Sequence, residues 1–214
     1  IVDRLVAMGA SPGFDWFTMS TGLRMDRVEF DPEACKIVLD RIVIEAGATP
    51  LFNAVVSDVE TRGRTIVRVS LLTKSGTLDI HPRMVIDASG DLDVLVRAGC
   101  AFLPLEDGET LQPATMSFRM GPIDFARFTS LTTEEKRTLA ERGVKEGGLG
   151  RLALHCNRVP GTDEGWFNVT RIVVDGTDAF ALSAAEAEGR RQSYAAARFI
   201  ADAVPGCGRA RLTG

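Results

Sequence analysis

The apolar positions of this chain follow two periods. Over "FDPEACKIVLDRIVIEAG", Cys35, Val38, Leu39, Ile42, Val43 and Ala46 recur at helical spacing and make one face. Asp31 suits an N-cap, Pro32 the first helical position and Gly47 the stop, so the pattern predicts a helix over 32–46. Strand-like segments come next at 49–60, 65–73 and 77–87, parted by the short turns "TRGR" and "KSGT", which predicts successive hairpins. In the middle segment Val67, Val69 and Leu71 alternate with Arg68 and Ser70, giving one buried face and one wet face. The third segment changes at Pro82. It is polar and edge-like before the proline and an apolar run, Met84-Val85-Ile86, after it, so this strand is expected to leave the meander for a deeper sheet.

The flanks are less regular. Ile1, Val2, Leu5 and Met8 form a stripe stopped by Gly9, the pattern of a helix end whose beginning lies upstream. Residues 11–29 read as a loop or short hairpin. Beyond Gly99, 102–114 reads as a loop, and Met116, Phe118 and Met120 alternate with Ser117 and Arg119 as in a strand. Thr132-x-x-Glu135 and Ser183-x-x-Glu186 are capping boxes that predict two helices. The face of the second, Ala185, Gly189, Ala196, Phe199, Ile200 and Ala203, is rich in small residues and implies close packing. A hairpin is expected around 159–165. The end, "GRARLTG", carries no expected element.

Composition narrows the function. The 214 residues suit one large domain or two small ones, and a net charge of −4 gives no basic footprint for nucleic acid. No apolar run approaches a membrane span, and Arg4 interrupts the opening where a signal peptide would be apolar. Cys35, Cys100, Cys156 and Cys207 are far apart with no C-x-x-C, and His81 and His155 are the only histidines, so no metal site is expected. Four such cysteines suit packed thiols in a reducing compartment, and the cytoplasm is the expected location.

The stretch "RMVIDASGDLDVLVRAG", 83–99, carries the candidate chemistry. An apolar run ends at Asp87-Ala88-Ser89-Gly90-Asp91, and a helical pattern begins at once. Three readings stand open. Asp87, Asp91 and Asp93 offer oxygen ligands, though not in the spacing of a calcium loop. The small residues and outward amides at the helix start would let a nucleotide approach the backbone, with Asp91 accepting from ribose or ribityl hydroxyls. Ser89 could instead simply cap the helix, with Gly90 turning the chain.

The order helix, three-strand meander, apolar run and small-residue turn, then "LQPATMSFRMG" and "NVTRIVVDGTD…LSAAEAEGRRQ", resembles the FAD-dependent oxidoreductase family with the glutathione-reductase-type flavin domain. The resemblance covers most of 30–212. It implies an α/β protein, α+β within this stretch: a partial FAD/NAD(P)-binding domain with a three-stranded antiparallel meander, plus an α+β substrate or cap domain. The implied divisions are 1–29 as helix end and linker, 30–100 as the partial FAD-binding domain and 101–214 as an incomplete substrate domain. It implies that Val56 presents its backbone to the adenine and that Ala88, Ser89, Gly90 and Asp91 lie beside the flavin nucleotide. The family's strand–GxGxxG–helix opening has no counterpart here; "GGLG" at 147–150 comes after a helix. The closing flavin segment is missing too. The resemblance therefore implies an interior section of a flavoprotein whose parent binds FAD and is the enzyme, while this chain alone is expected to lack FAD and activity.

In the substrate domain that the resemblance implies, Arg119, Arg171 and His155 are the candidates, the arginines as forked partners of an anion and the histidine as a proton donor. Each also has a plain structural reading, and no catalytic residue is singled out. The expected partner is a small molecule, with room for a homo-oligomer. The rival to the enzyme is a non-catalytic fragment that self-associates through exposed sheet surface.

Overall fold

The computed structural model describes residues 1–18, 24–103 and 110–214. Parts of the loops expected at 11–29 and 102–114, namely 19–23 and 104–109, lie outside the described residues. The chain divides into two compact units, one of 1–42 with 110–214 and one of 43–109.

Elements are numbered in chain order. α1 (Val2–Ala7) buries Leu5 and ends before Gly9, whose φ of +70° suits a residue without a side chain to clash. β1 (Phe14–Thr18) and β2 (Arg24–Val28) form an antiparallel hairpin. α2 (Pro32–Glu45) is capped as its sequence predicts, Asp31 Oδ1 accepting from the amides of Glu33 at 2.8 Å and Ala34 at 3.3 Å. Of its apolar face only Val38 is fully buried; Leu39 and Val43 are exposed.

The second unit is a meander, β3 (Val55–Arg62), β4 (Thr65–Thr73) and β5 (Gly76–Ile80), antiparallel in the order β3-β4-β5. Its polar face is tied together. Arg68 reaches Asp58 at 3.0 Å, Glu60 at 3.2 Å and Asp79 at 3.3 Å. Ser70, expected to be wet, is buried beneath this cluster and donates to Asp79 at 2.6 Å. The expected continuation of the third strand through 83–87 does not form. β5 stops at Ile80, and Met84 and Ile86 are 83% and 85% exposed. Pro82 withholds a ladder donor, and no described strand pairs with residues 83–87. The helix after the turn is only α3 (Asp93–Arg97), whose Val94 is buried and which packs on β3.

In the first unit the chain continues through β6 (Phe118–Gly121), α4 (Phe125–Thr129), α5 (Thr133–Lys145), β7 (Cys156–Arg158), β8 (Gly165–Phe167), α6 (Ala179–Ala203) and β9 (Arg211–Leu212). The sheet order is β7-β8-β6-β9, antiparallel throughout. Thr132 and Glu135 close the expected capping box on α5. The other expected box does not form. Asp178 caps α6, accepting from Phe180 and Ala181, and Ser183 lies inside the helix with its hydroxyl bonded to the Ala179 carbonyl. Ala179–Leu182 contains nothing that resists a helix, so the earlier aspartate wins. The small residues of α6 do allow close packing: a Cβ on Gly189 would stand 3.0 Å from Met116 and 3.1 Å from Ile172. The end of the chain, for which no element was expected, adds β9 as an edge strand.

The main core lies between this sheet and α6, built on Phe118, Met120, Phe167, Val169 and Ile200. Among the described residues no helix is long and apolar enough to cross a membrane. Nor do three His, Cys, Asp or Glu side chains gather there as a metal ion requires.

Candidate functional site

The corner at 88–91 is open. Ala88, Ser89, Gly90 and Asp91 are not buried, and among the described residues nothing lies within 4 Å of where a Cβ on Gly90 would stand. Gly90 has φ +89° and Leu92 φ +57°, two left-handed residues that fold the chain sharply before α3. The helix start is not open. Asp87 Oδ2 accepts from the amides of Val94 and Leu95, each at 3.0 Å, and Ser89 Oγ accepts from Asp93 at 2.8 Å. The amides expected to point outward are thus already satisfied by the chain itself. Ser89 and Leu95 hold the Asp87 carboxyl below its ordinary value, Ser89 most strongly. Asp93 pairs with Arg97 at 2.8 Å. A corner of this kind has room for a hydroxyl-bearing group against bare main chain, but offers no helix-start amides to a phosphate. Val56 sits on β3, paired with Leu71 just before a β-bulge, and β3 is an edge strand of the meander.

A second concave site lies within the first unit. On β6, β7 and β8 the inward residues Phe118, Met120, Cys156 and Phe167 are buried in the core. Strand alternation sends Ser117, Arg119, His155, Asn157, Trp166 and Asn168 to the other face, with Arg119, Trp166 and Asn157 side by side across the three strands. The β1–β2 hairpin covers this face and encloses a cleft of about 480 Å³, lined by Phe17, Arg27, Glu29, His155, Asn157, Trp166 and Asn168 among others. Its size is that of a small-molecule site.

The polar groups here are organised. The imidazole of His155 lies against Phe17, and its Nε2 is 2.8 Å from Asn157 Oδ1. Arg27 pairs with Asp15 at 3.0 Å and Glu29 at 3.5 Å, yet its buried Nε–H has no partner among the described residues. Arg158 borders the cleft, but its guanidinium lies over Phe125 and its Nε donates to the Thr162 carbonyl.

The three substrate-side candidates separate. His155 lines the cleft. Arg119 stands beside it, its guanidinium over Trp166 at 5.4 Å and paired with Glu164 at 3.4 Å. Arg171 is elsewhere, exposed, with its main chain held by Gln192 through bonds of 2.9 and 3.1 Å. Phe17, Arg27, Asn157 and Asn168 line the cleft without having been singled out in the sequence. The period-two alternation of "HCN" and "WFN" marks the two asparagines as outward, but the covering hairpin is a long-range contact that no local pattern records. Cys100, expected to be packed, is exposed; it follows α3, and its amide donates to the Leu95 carbonyl at 3.1 Å.

A family model described as FAD dependent oxidoreductase matches residues 1–214. Comparison with curated proteins gave no match, and comparison with solved structures gave none.

Proposed function

The chain belongs to the FAD-dependent oxidoreductase family, and from that premise we propose that it serves a flavoenzyme that oxidises or reduces a small molecule bound in the cleft under the β1–β2 hairpin. The match along all of residues 1–214 is the observation that carries this reading. FAD, when bound, supplies the hydride or electron transfer. The residues that would hold it are Ala88, Ser89, Gly90 and Asp91, with the β3 main chain at Val56. The open corner and the bare main chain at Gly90 support that placement. The Asp91 carboxylate accepts from sugar or ribityl hydroxyls. The pyrophosphate is held elsewhere in this reading, since Asp87 already occupies the amides of α3.

The chain is, in this reading, a section of a larger flavin-binding fold. The exposure of Met84 and Ile86 in an unpaired segment supports it, because such a run is stabilised by a neighbouring strand. Four free cysteines support a reducing compartment such as the cytoplasm.

One observation favours a second reading. The same exposed run, with the free edges of β3 and β5, suits self-association without catalysis. One experiment separates them. The natural full-length product is desalted, its bound flavin read by visible absorbance, and its mass in solution measured by light scattering. Bound flavin that bleaches under a reducing substrate is expected. A colourless protein that stays colourless after incubation with FAD, and self-associates, overturns the enzymatic reading.

A further inference from the structure

We propose that the cleft between the β1–β2 hairpin and the outer face of β7-β8-β6 is a carboxylate site, selecting a small aromatic acid over its neutral and cationic counterparts.

Its lining presents several hydrogen-bond donors. A carboxamide oxygen can only accept, so the contact between His155 Nε2 and Asn157 Oδ1 at 2.8 Å runs from the imidazole N–H to the amide oxygen. Asn157 Oδ1 therefore accepts, and both Nδ2 hydrogens are without a partner among the described residues. Asn168 has its Oδ1 3.0 Å from the Thr115 hydroxyl, which also lies 3.1 Å from the Thr170 carbonyl. Two amide donors, on β7 and at the end of β8, thus line one cleft. Arg27, also in the lining, adds a buried Nε–H with no acceptor among the described residues. Ser117 adds a hydroxyl. The lining holds one carboxylate, Glu29, and Arg27 Nη1 stands 3.5 Å from it.

A pocket that presents N–H groups free to donate stabilises a ligand that only accepts. An ionised carboxylate is such a group, and hydrogen bonds to it are stronger than those to a neutral oxygen. An amidinium would meet the same donors, and the one carboxylate in the lining, Glu29, is already paired with Arg27. The remaining walls are Phe17, Phe30 and Trp166, flat apolar surfaces suited to an aromatic ring.

This rests on the reading of the cleft as the substrate site, and its test needs no flavin. The full chain is titrated with benzoate, benzamide and benzamidine, with the Trp166 indole and the Asn157 and Asn168 side-chain amides observed by NMR. Benzoate is expected to saturate these signals at a concentration at least about tenfold below benzamide, a step of one decade in Kd, with benzamidine weakest. Asn157→Asp, which turns a donor into a charged acceptor, is expected to invert the order of benzoate and benzamidine. Asn168→Asp is the second variant, should the first disturb His155. Equal affinity for benzoate and benzamide, or an order unchanged in a folded Asp variant, overturns the proposal. Benzoate binding to a protein that never takes up flavin would sink the enzymatic reading and leave this one standing. A flavoprotein indifferent to benzoate would do the reverse.

Discussion

The imidazole of His155 lies nearly parallel to the ring of Phe17, centroids 5.6 Å apart and planes 23° off. This contact joins the β1–β2 hairpin to the residue that leads into β7, and it forms one wall of the cleft. The Arg27 guanidinium lies 5.5 Å from the centroid of the same Phe17 ring, so one aromatic side chain holds both neighbours in place.

Removing that ring should loosen the hairpin. Phe17→Ala is expected to cost about 0.5–1.5 kcal/mol beyond its area term, the range for ring contacts of this kind. Chemical denaturation measures the loss. Trp166 fluorescence, if more readily quenched by acrylamide in the variant, reports that the cleft has opened.

Asp87 gives a pH-dependent cap. Its carboxyl titrates below the ordinary 3.8 because Ser89, then Leu95, donate to the ionised form. The unfolded chain therefore takes up the proton first as pH falls. The contribution is whole above the ordinary value of 3.8 and is lost as pH drops through the lower folded value. Protection of the Val94 and Leu95 amides, measured against their intrinsic exchange rates, should fall in that acid window. In Asp87→Ala, which removes the acceptor, that protection should already be low at neutral pH and respond little to acid.

The thiols should react in a fixed order. Cys207 is fully buried and burial pushes it up to about 11, while Cys156 is pushed higher still by burial and by Cys207. Cys100 is exposed. Iodoacetamide at mild alkaline pH should label Cys100 first, with Cys156 and Cys207 protected until the protein unfolds; peptide mass spectrometry reads the order.

Phe167 is the centre of the main core, 0% exposed, with Phe118 stacked at 5.8 Å and Phe128 edge-on at 6.3 Å. Phe167→Ala should cost about 3–5 kcal/mol in a denaturant titration, as other buried aromatics do when truncated.

The parts of the fold legible in the sequence are those with local causes. Asp31 and Pro32 open α2, Thr132 and Glu135 open α5, and the Gly-containing turns set the β3-β4-β5 meander. The illegible parts depend on distant partners. The run Met84-Val85-Ile86 looks buried in sequence because apolar runs of that kind usually are, yet no described strand covers it. Ser183 matches a capping box, but Asp178, further upstream, competes for the same role and wins. At the site, Ala88–Asp91 is visible as a small-residue turn, whereas the Asp87 bonds to Val94 and Leu95 need the left-handed Leu92 that no sequence rule foretells.

The most direct measurement concerns Gly90. The natural full-length protein and its Gly90→Val variant are each saturated with FAD, passed through gel filtration, and assayed for flavin retained per chain. Stoichiometric flavin is expected in the parent and a loss of at least about tenfold in affinity in the variant, from a side chain standing where the nucleotide would lie. Gly90 is exposed and a Cβ there meets none of the described residues, but its φ of +89° strains any β-branched residue, so circular dichroism must show the variant folded. Equal flavin retention in a folded variant would contradict the placement of the nucleotide at residues 88–91.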